Sequence, residues 1–244
     1  MRLKSSDNFN FYIPQKVFFE TNPINKLHIA EVLDFSYDMT FGKKGEHRNY
    51  RSGGTHYRKN GEIFCDTFQG KLAEFFFFDL LTKLGVSCPK PETERWNKGK
   101  WDDQDFIVNN KIINIKSMAS FSNLLLLETK DWDLEGIYIP NQKKYDLFVV
   151  VRIKPDLKSV FKSKRILYSN ILDEKDVGDI VNDIKFEADI PGFVTHKKLV
   201  EVIKEKQILP QGTMLNGRTK MDAENYYILS NDFDKIENLK QILK

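Results

Sequence analysis

The chain has 244 residues, 41% of them apolar, and a formal net charge of +3. That is enough apolar material for one buried core, and too little charge to define a polyanion-binding protein by itself. The polar start Met-Arg-Leu-Lys-Ser-Ser-Asp and the lack of a long apolar run argue against a signal segment or a bilayer span. The two cysteines, Cys65 and Cys88, have no metal-ligand spacing and form no disulfide framework, so a reduced, cytoplasmic setting is expected.

Residues 1–24 read as extended structure around Pro14 and Pro23. Residues 25–39 have a ragged apolar face (Leu27, Ala30, Val32, Leu33, Phe35) that predicts a helix. Charge is unevenly spread. Between Lys43 and Lys59, the cations Lys43, Lys44, Arg48, Arg51, Arg58 and Lys59 face one acid, Glu46, a local net of +5. This glycine-rich loop also carries His47, Tyr50, His56 and Tyr57. It reads either as an electrostatic footprint for phosphate or as a solvated loop. Phe68, Leu72, Phe75, Phe76, Leu80 and Leu84 then recur at helical spacing. Asp66 or Thr67 is the expected cap, Gln69 completes a capping box from Asp66, and Gly85 is the stop. Glu74 lies on this helix beside Phe77 and Phe78, where an acid is costly unless Lys71 or a metal pairs with it. The alternative is an ordinary salt bridge at the rim.

After a connector with Pro89 and Pro91, two β-rich runs, residues 105–108 and 111–116, flank Asn109-Asn110. Asn tolerates the positive φ that both central positions of a type I′ turn need, which predicts a two-residue hairpin. Counting outward pairs Val108 with Lys111, Ile107 with Ile112, Phe106 with Ile113 and Asp105 with Asn114. Side-chain alternation then puts Asp105, Ile107, Ile112, Asn114 and Lys116 on one face, and Phe106, Val108, Ile113 and Ile115 on the other. A longer or shifted turn makes Asp103, with Asp102 beside it, the acid on the polar face instead. An acid, an amide and an ammonium gathered there can hold a divalent metal and a polarised water next to a phosphate.

Residues 121–127 are a buried run of undecided type. Residues 145–152 are the clearest strand, apolar throughout and expected to be covered on both faces, with Pro155 closing it. Residues 196–207 read as a helix with Leu199, Val202 and Ile203 inward. Residues 209–220 form a loop whose Gln211, Asn216, Arg218 and Lys220 can contact nucleic acid, or can simply lead into a strand at 225–230. No G-x-S-x-G elbow, Walker loop or G-x-G-x-x-G turn is present.

Asp105 followed by Asn114-Ile115-Lys116 resembles the PD-(D/E)XK, or restriction-endonuclease-like, nucleases, whose pattern is an acid on one hairpin strand and acid-x-Lys on the next. Gly70-Lys71-Leu72-Ala73-Glu74 resembles the helix from which members of this family often supply a further Glu. The departure is Asn114, where the family usually has Asp or Glu. The resemblance covers roughly residues 63–155. It implies an α/β fold with a mixed central sheet flanked by helices, with a core over 63–172. Residues 1–62 would be packed on that core and residues 173–244 would extend it.

The activity implied is Mg2+-dependent hydrolysis of double-stranded DNA at a specific sequence by a homodimer, as in type II restriction enzymes. Asp105, Asn114, Ile115 and Glu74 would be the metal ligands. Lys116 would orient the attacking water and stabilise charge at phosphorus. Lys43, Lys44, Arg48, Arg51, His56, Arg58 and Lys71 would join the four residues of the 209–220 loop as DNA contacts. The alternatives are an inactive DNA-binding module of the same fold and a nuclease that recognises junctions or damage.

Overall fold

Asn109 and Asn110 both take positive φ, 49° and 64°. The strands on either side pair as counted: Phe106 with Ile113, Ile107 with Ile112, and Val108 with Lys111. A computed structural model of the chain describes residues 2–17, 20–42, 44, 56–94 and 106–243. In chain order, short strands β1 (Lys4–Ser5), β2 (Asn10–Tyr12) and β3 (Asn22–Pro23) precede helices α1 (Lys26–Thr40) and α2 (Asn60–Lys83). Next come β4 (Phe106–Val108), β5 (Lys111–Ala119), β6 (Leu124–Glu128), β7 (Leu147–Lys154), α3 (Leu157–Ser163), α4 (Glu174–Asn182), β8 (Glu187–Thr195) and α5 (His196–Lys204). The chain closes with β9 (Ile208–Leu209), β10 (Met214–Leu215), β11 (Thr219–Lys220), β12 (Asn225–Leu229) and α6 (Leu239–Ile242). The fold is α/β. Among the described residues, no helix is long and apolar enough to cross a membrane.

The central sheet runs β3-β8-β7-β5-β4, with β5 and β7 parallel and the other pairs antiparallel. Leu147 to Ile153 are buried without a break, as a strand covered on both faces requires. One cover is α1 to α4: Phe64, Phe68, Leu72 and Phe75 of α2 pack with Val151 and Ile153. The other is α5 with a second sheet, β6-β12-β9, whose Leu125, Leu127, Tyr226 and Ile228 pack with Phe148 and Val150. A third sheet, β1-β2-β10-β11, lies outside the second through Phe11 and Leu215. The 216–217 turn, with Asn216 and Gly217 both at positive φ, makes β10–β11 an ordinary hairpin.

Two expectations need correction. Helix α2 starts six residues before Asp66, and Glu62 caps it by accepting from the Lys59 N–H at 3.0 Å. Ile63, Phe64 and Cys65 are buried. Burying such a side chain is worth about 1.5–3 kcal/mol, more than a cap, so the apolar surface sets the start. The Asp66 carboxylate instead meets Arg58 at 2.9 Å and Lys158 at 2.6 Å. Gly85 ends the helix as expected, at φ 68°. The second correction concerns β8. The central sheet is not confined to residues 63–172, because β8 pairs along β7 and β3 pairs with β8. Between Val150 and Arg152 the register slips by one residue, accommodating Ile190-Pro191 in β8 as a bulge. Proline, with no N–H to donate, fits such a place.

Candidate active site

Strand alternation puts Ile113 and Ile115 of β5 toward α2, where Ile113 packs with Phe77, Leu81 and Phe106. Ile112 and Met118 pack on the other side, with the α5 layer. Asn114 and Lys116 therefore share that second face, beside Phe148 and Val150 of β7, and both are half-buried. The Asn114 Oδ1 is closed off from solvent, so this face offers a desolvated, hard oxygen donor two residues from an ammonium. Asp105, with Asp102 and Asp103, lies outside the described residues, immediately before β4.

Glu74 projects from α2, the helix on the opposite face from Asn114 and Lys116. Its Oε2 accepts from Lys71 Nζ at 2.7 Å. The Lys71 side chain is only 7% exposed and its ammonium sits 5.5 Å from the centre of the Phe35 ring. The pairing offered for Glu74 is formed. Lys71 is thereby turned inward, which corrects its placement among surface phosphate contacts: a buried ammonium held by a carboxylate does not reach DNA.

The structure adds two acids that sequence reading passed over. Glu128 ends β6, and Asp131 stands in the short turn after it, just before the buried Trp132. Burial pushes the Asp131 carboxyl above the ordinary aspartate range, while Lys130 and Lys116 pull it partly back. Lys116 thus acts electrostatically on Asp131 across the same face of the sheet. Burial also raises Glu128, and repulsion from Asp131 adds to it; Lys130, 3.6 Å away, opposes both. An apolar strand ending in Glu-Thr-Lys-Asp-Trp was the available signal. Among the described residues, no three His, Cys, Asp or Glu side chains gather closely enough to hold a metal ion.

The remaining candidate DNA contacts divide by what holds them. Lys43, Arg48 and Arg51 lie outside the described residues. Lys44 meets the buried Asp38 at 3.1 Å, His56 meets Glu62 at 3.0 Å, and Arg58 meets Asp66. Gln211 donates to the Asp222 carbonyl at 2.8 Å, and the Asn216 side chain accepts from the Ile13 N–H at 3.0 Å. Both amides therefore fasten the β10–β11 hairpin, whereas Arg218 and Lys220 are exposed. Burial raises both thiols, Cys65 most, so neither is an activated nucleophile. Comparison of the chain with family models, with curated proteins and with solved structures finds no match.

Proposed function

We propose that this protein is a Mg2+-dependent endonuclease acting on double-stranded DNA, similar to the type II enzymes of the PD-(D/E)XK group. The observation that carries the reading is the hairpin register, which sets Asn114 and Lys116 on one half-buried face of β5. The parallel pairing of β5 with β7, buried from Leu147 to Ile153, supports it.

Lys116 would orient the attacking water and stabilise negative charge developing at phosphorus, where a fixed cation in a poorly solvated site acts most strongly. Asn114 would bind through its oxygen and cannot take a proton. Asp105, Asn114 and the Ile115 carbonyl are hard oxygen donors suited to Mg2+, which would acidify a bound water and neutralise phosphate charge. Glu74, on the opposite face of the sheet and held by Lys71, is not placed to join them. Cutting both strands at a palindromic site would take a homodimer.

The test is cleavage of unmethylated phage DNA in Mg2+ by the wild type and by Lys116→Ala. Discrete fragments from the wild type, and a loss on the order of a hundredfold in the variant, support the reading. Equal cutting by both would put the active site elsewhere. Asn114 itself favours one second reading, a DNA-binding module without cleavage. That reading predicts intact DNA from both proteins and DNA binding that survives chelator.

A further inference from the structure

The span from Leu157 to Leu172 contains Lys158, Lys162, Lys164 and Arg165 and no acid. It begins where β7 ends, three residues past Lys154, so it lies at the carboxyl end of the parallel β5–β7 pair. It folds as α3 followed by a loop, and that loop lies directly against the start of α2. The Gly61 N–H donates to the Ser169 carbonyl at 2.9 Å, and the Asn60 side chain donates to the Asn170 carbonyl at 2.9 Å. An added Cβ on Gly61 would come within 2.4 Å of the Leu167 carbonyl oxygen, so the approach is fixed by backbone. Lys158 is partly neutralised through Asp66. Lys162, Lys164 and Arg165 are exposed and meet no acid among the described residues.

Arg165 occupies the position just after α3 where the chain turns left-handed, at φ 60°. The Arg165 and Ile166 N–H groups bond back to Lys162 and Phe161, closing the helix. Glycine is the usual residue there, because a Cβ disfavours the left-handed conformation. A long cation at that position is poor choice for the backbone but presents a guanidinium from a rigid corner. Nearby, Tyr168 is 59% exposed. Tyrosine hydroxyls and Arg or Lys side chains are the groups that make sequence-independent contacts with DNA phosphates.

We infer that Lys162, Lys164 and Arg165, with Tyr168 beside them, form a backbone-contact surface for duplex DNA at this end of the sheet. The inference rests on the nuclease reading for its choice of polyanion and names contacts outside the catalytic face. Such a surface draws its affinity from counterion release, so each phosphate contact adds close to 0.9 to the slope of log K against log salt.

The experiment is fluorescence anisotropy of a labelled 30-base-pair duplex in chelator, across sodium chloride concentrations, for the wild type and for Lys162→Ala/Lys164→Ala/Arg165→Gly. Glycine suits the backbone at 165, so the variant is expected to melt at or above the wild-type temperature. The expected result is weaker binding, with a salt slope shallower by about 2–3. Unchanged affinity and slope in the triple variant, with cleavage still dependent on Lys116, would overturn the surface and leave the nuclease standing. A wild type that neither binds nor cuts duplex DNA would overturn both. Binding to phosphatidylserine vesicles through these residues, without DNA binding, would also overturn the inference, since it would identify the polyanion as a membrane surface.

Discussion

Arg152 of β7 and Asp189 of β8 form a two-pronged ion pair in the interior. Nε donates to Oδ1 at 2.8 Å and Nη2 donates to Oδ2, with the two side chains 2% and 5% exposed. The remaining nitrogen, Nη1, donates to the Val17 carbonyl at 2.9 Å and the Ser122 carbonyl at 3.3 Å. One guanidinium thus fastens the N-terminal segment and the loop after β5 to the middle of the sheet. Replacing either partner strands a charge. Arg152→Met or Asp189→Leu alone is expected to cost about 3–5 kcal/mol in urea unfolding, and the double replacement to recover much of that loss.

Asp131 and Glu128 hold their protons more tightly in the folded chain than at the ordinary values of 3.8 and 4.5. Between the ordinary and the raised values the folded state binds the extra proton, so stability falls as pH rises through that window and the cost persists at neutral pH. Asp131→Asn and Glu128→Gln are each expected to melt higher than the wild type at pH 7, with the gap closing toward pH 3.8. Thermal melts across that range check it. Slower Lys116-dependent cleavage by the more stable Asp131→Asn protein would mark this acid as kept for activity.

His196 shifts the other way. Burial, with Lys144 adding to it, holds the imidazole below its ordinary value of 6.5. The unfolded chain then binds the proton first, so this contribution is complete above 6.5 and lost as pH falls toward the lowered value. A His196→Asn variant should show a flatter stability profile than the wild type over that acidic window, as read from urea midpoints.

Gly192 sits at φ 149°, and an added Cβ would come within 2.4 Å of the Asp234 carbonyl oxygen. Gly192→Ala combines backbone strain with a clash and is expected to cost about 3 kcal/mol or more. Gly70, inside α2 with nothing within 4 Å of a built Cβ, makes the contrast. Gly70→Ala should gain about 0.5–1 kcal/mol. Denaturation of the two variants side by side tests whether backbone geometry or mere residue type governs them.

Sequence reading succeeded where a local rule had no competitor. Asn109-Asn110 admits few turns, and the unbroken apolar run before Pro155 admits few elements other than an interior strand. It failed at α2, where Asp66 looks like a cap but is used by Arg58 and Lys158. It missed β8 because Pro191-Gly192 reads as a break, and only the neighbouring strand shows that a bulge absorbs it. On the candidate site, the shared face of Asn114 and Lys116 followed from counting. The influence of Lys116 on Asp131 did not, because it depends on how the chain returns after β6.

The hairpin that carries Asn114 and Lys116 is finished by residues 239–243, far along the sequence. Asn109 Nδ2 donates to the Leu243 carbonyl at 2.6 Å, and Leu239 and Leu243 pack with Phe106, Val108 and Ile113. During synthesis these strands leave the ribosome more than a hundred residues before their last packing partners. Contacts of such separation form late because a large loop must close first. The nascent hairpin therefore stays without this support until residues 239–243 have been made, so maturation of this face is expected to lag well behind synthesis of its own strands.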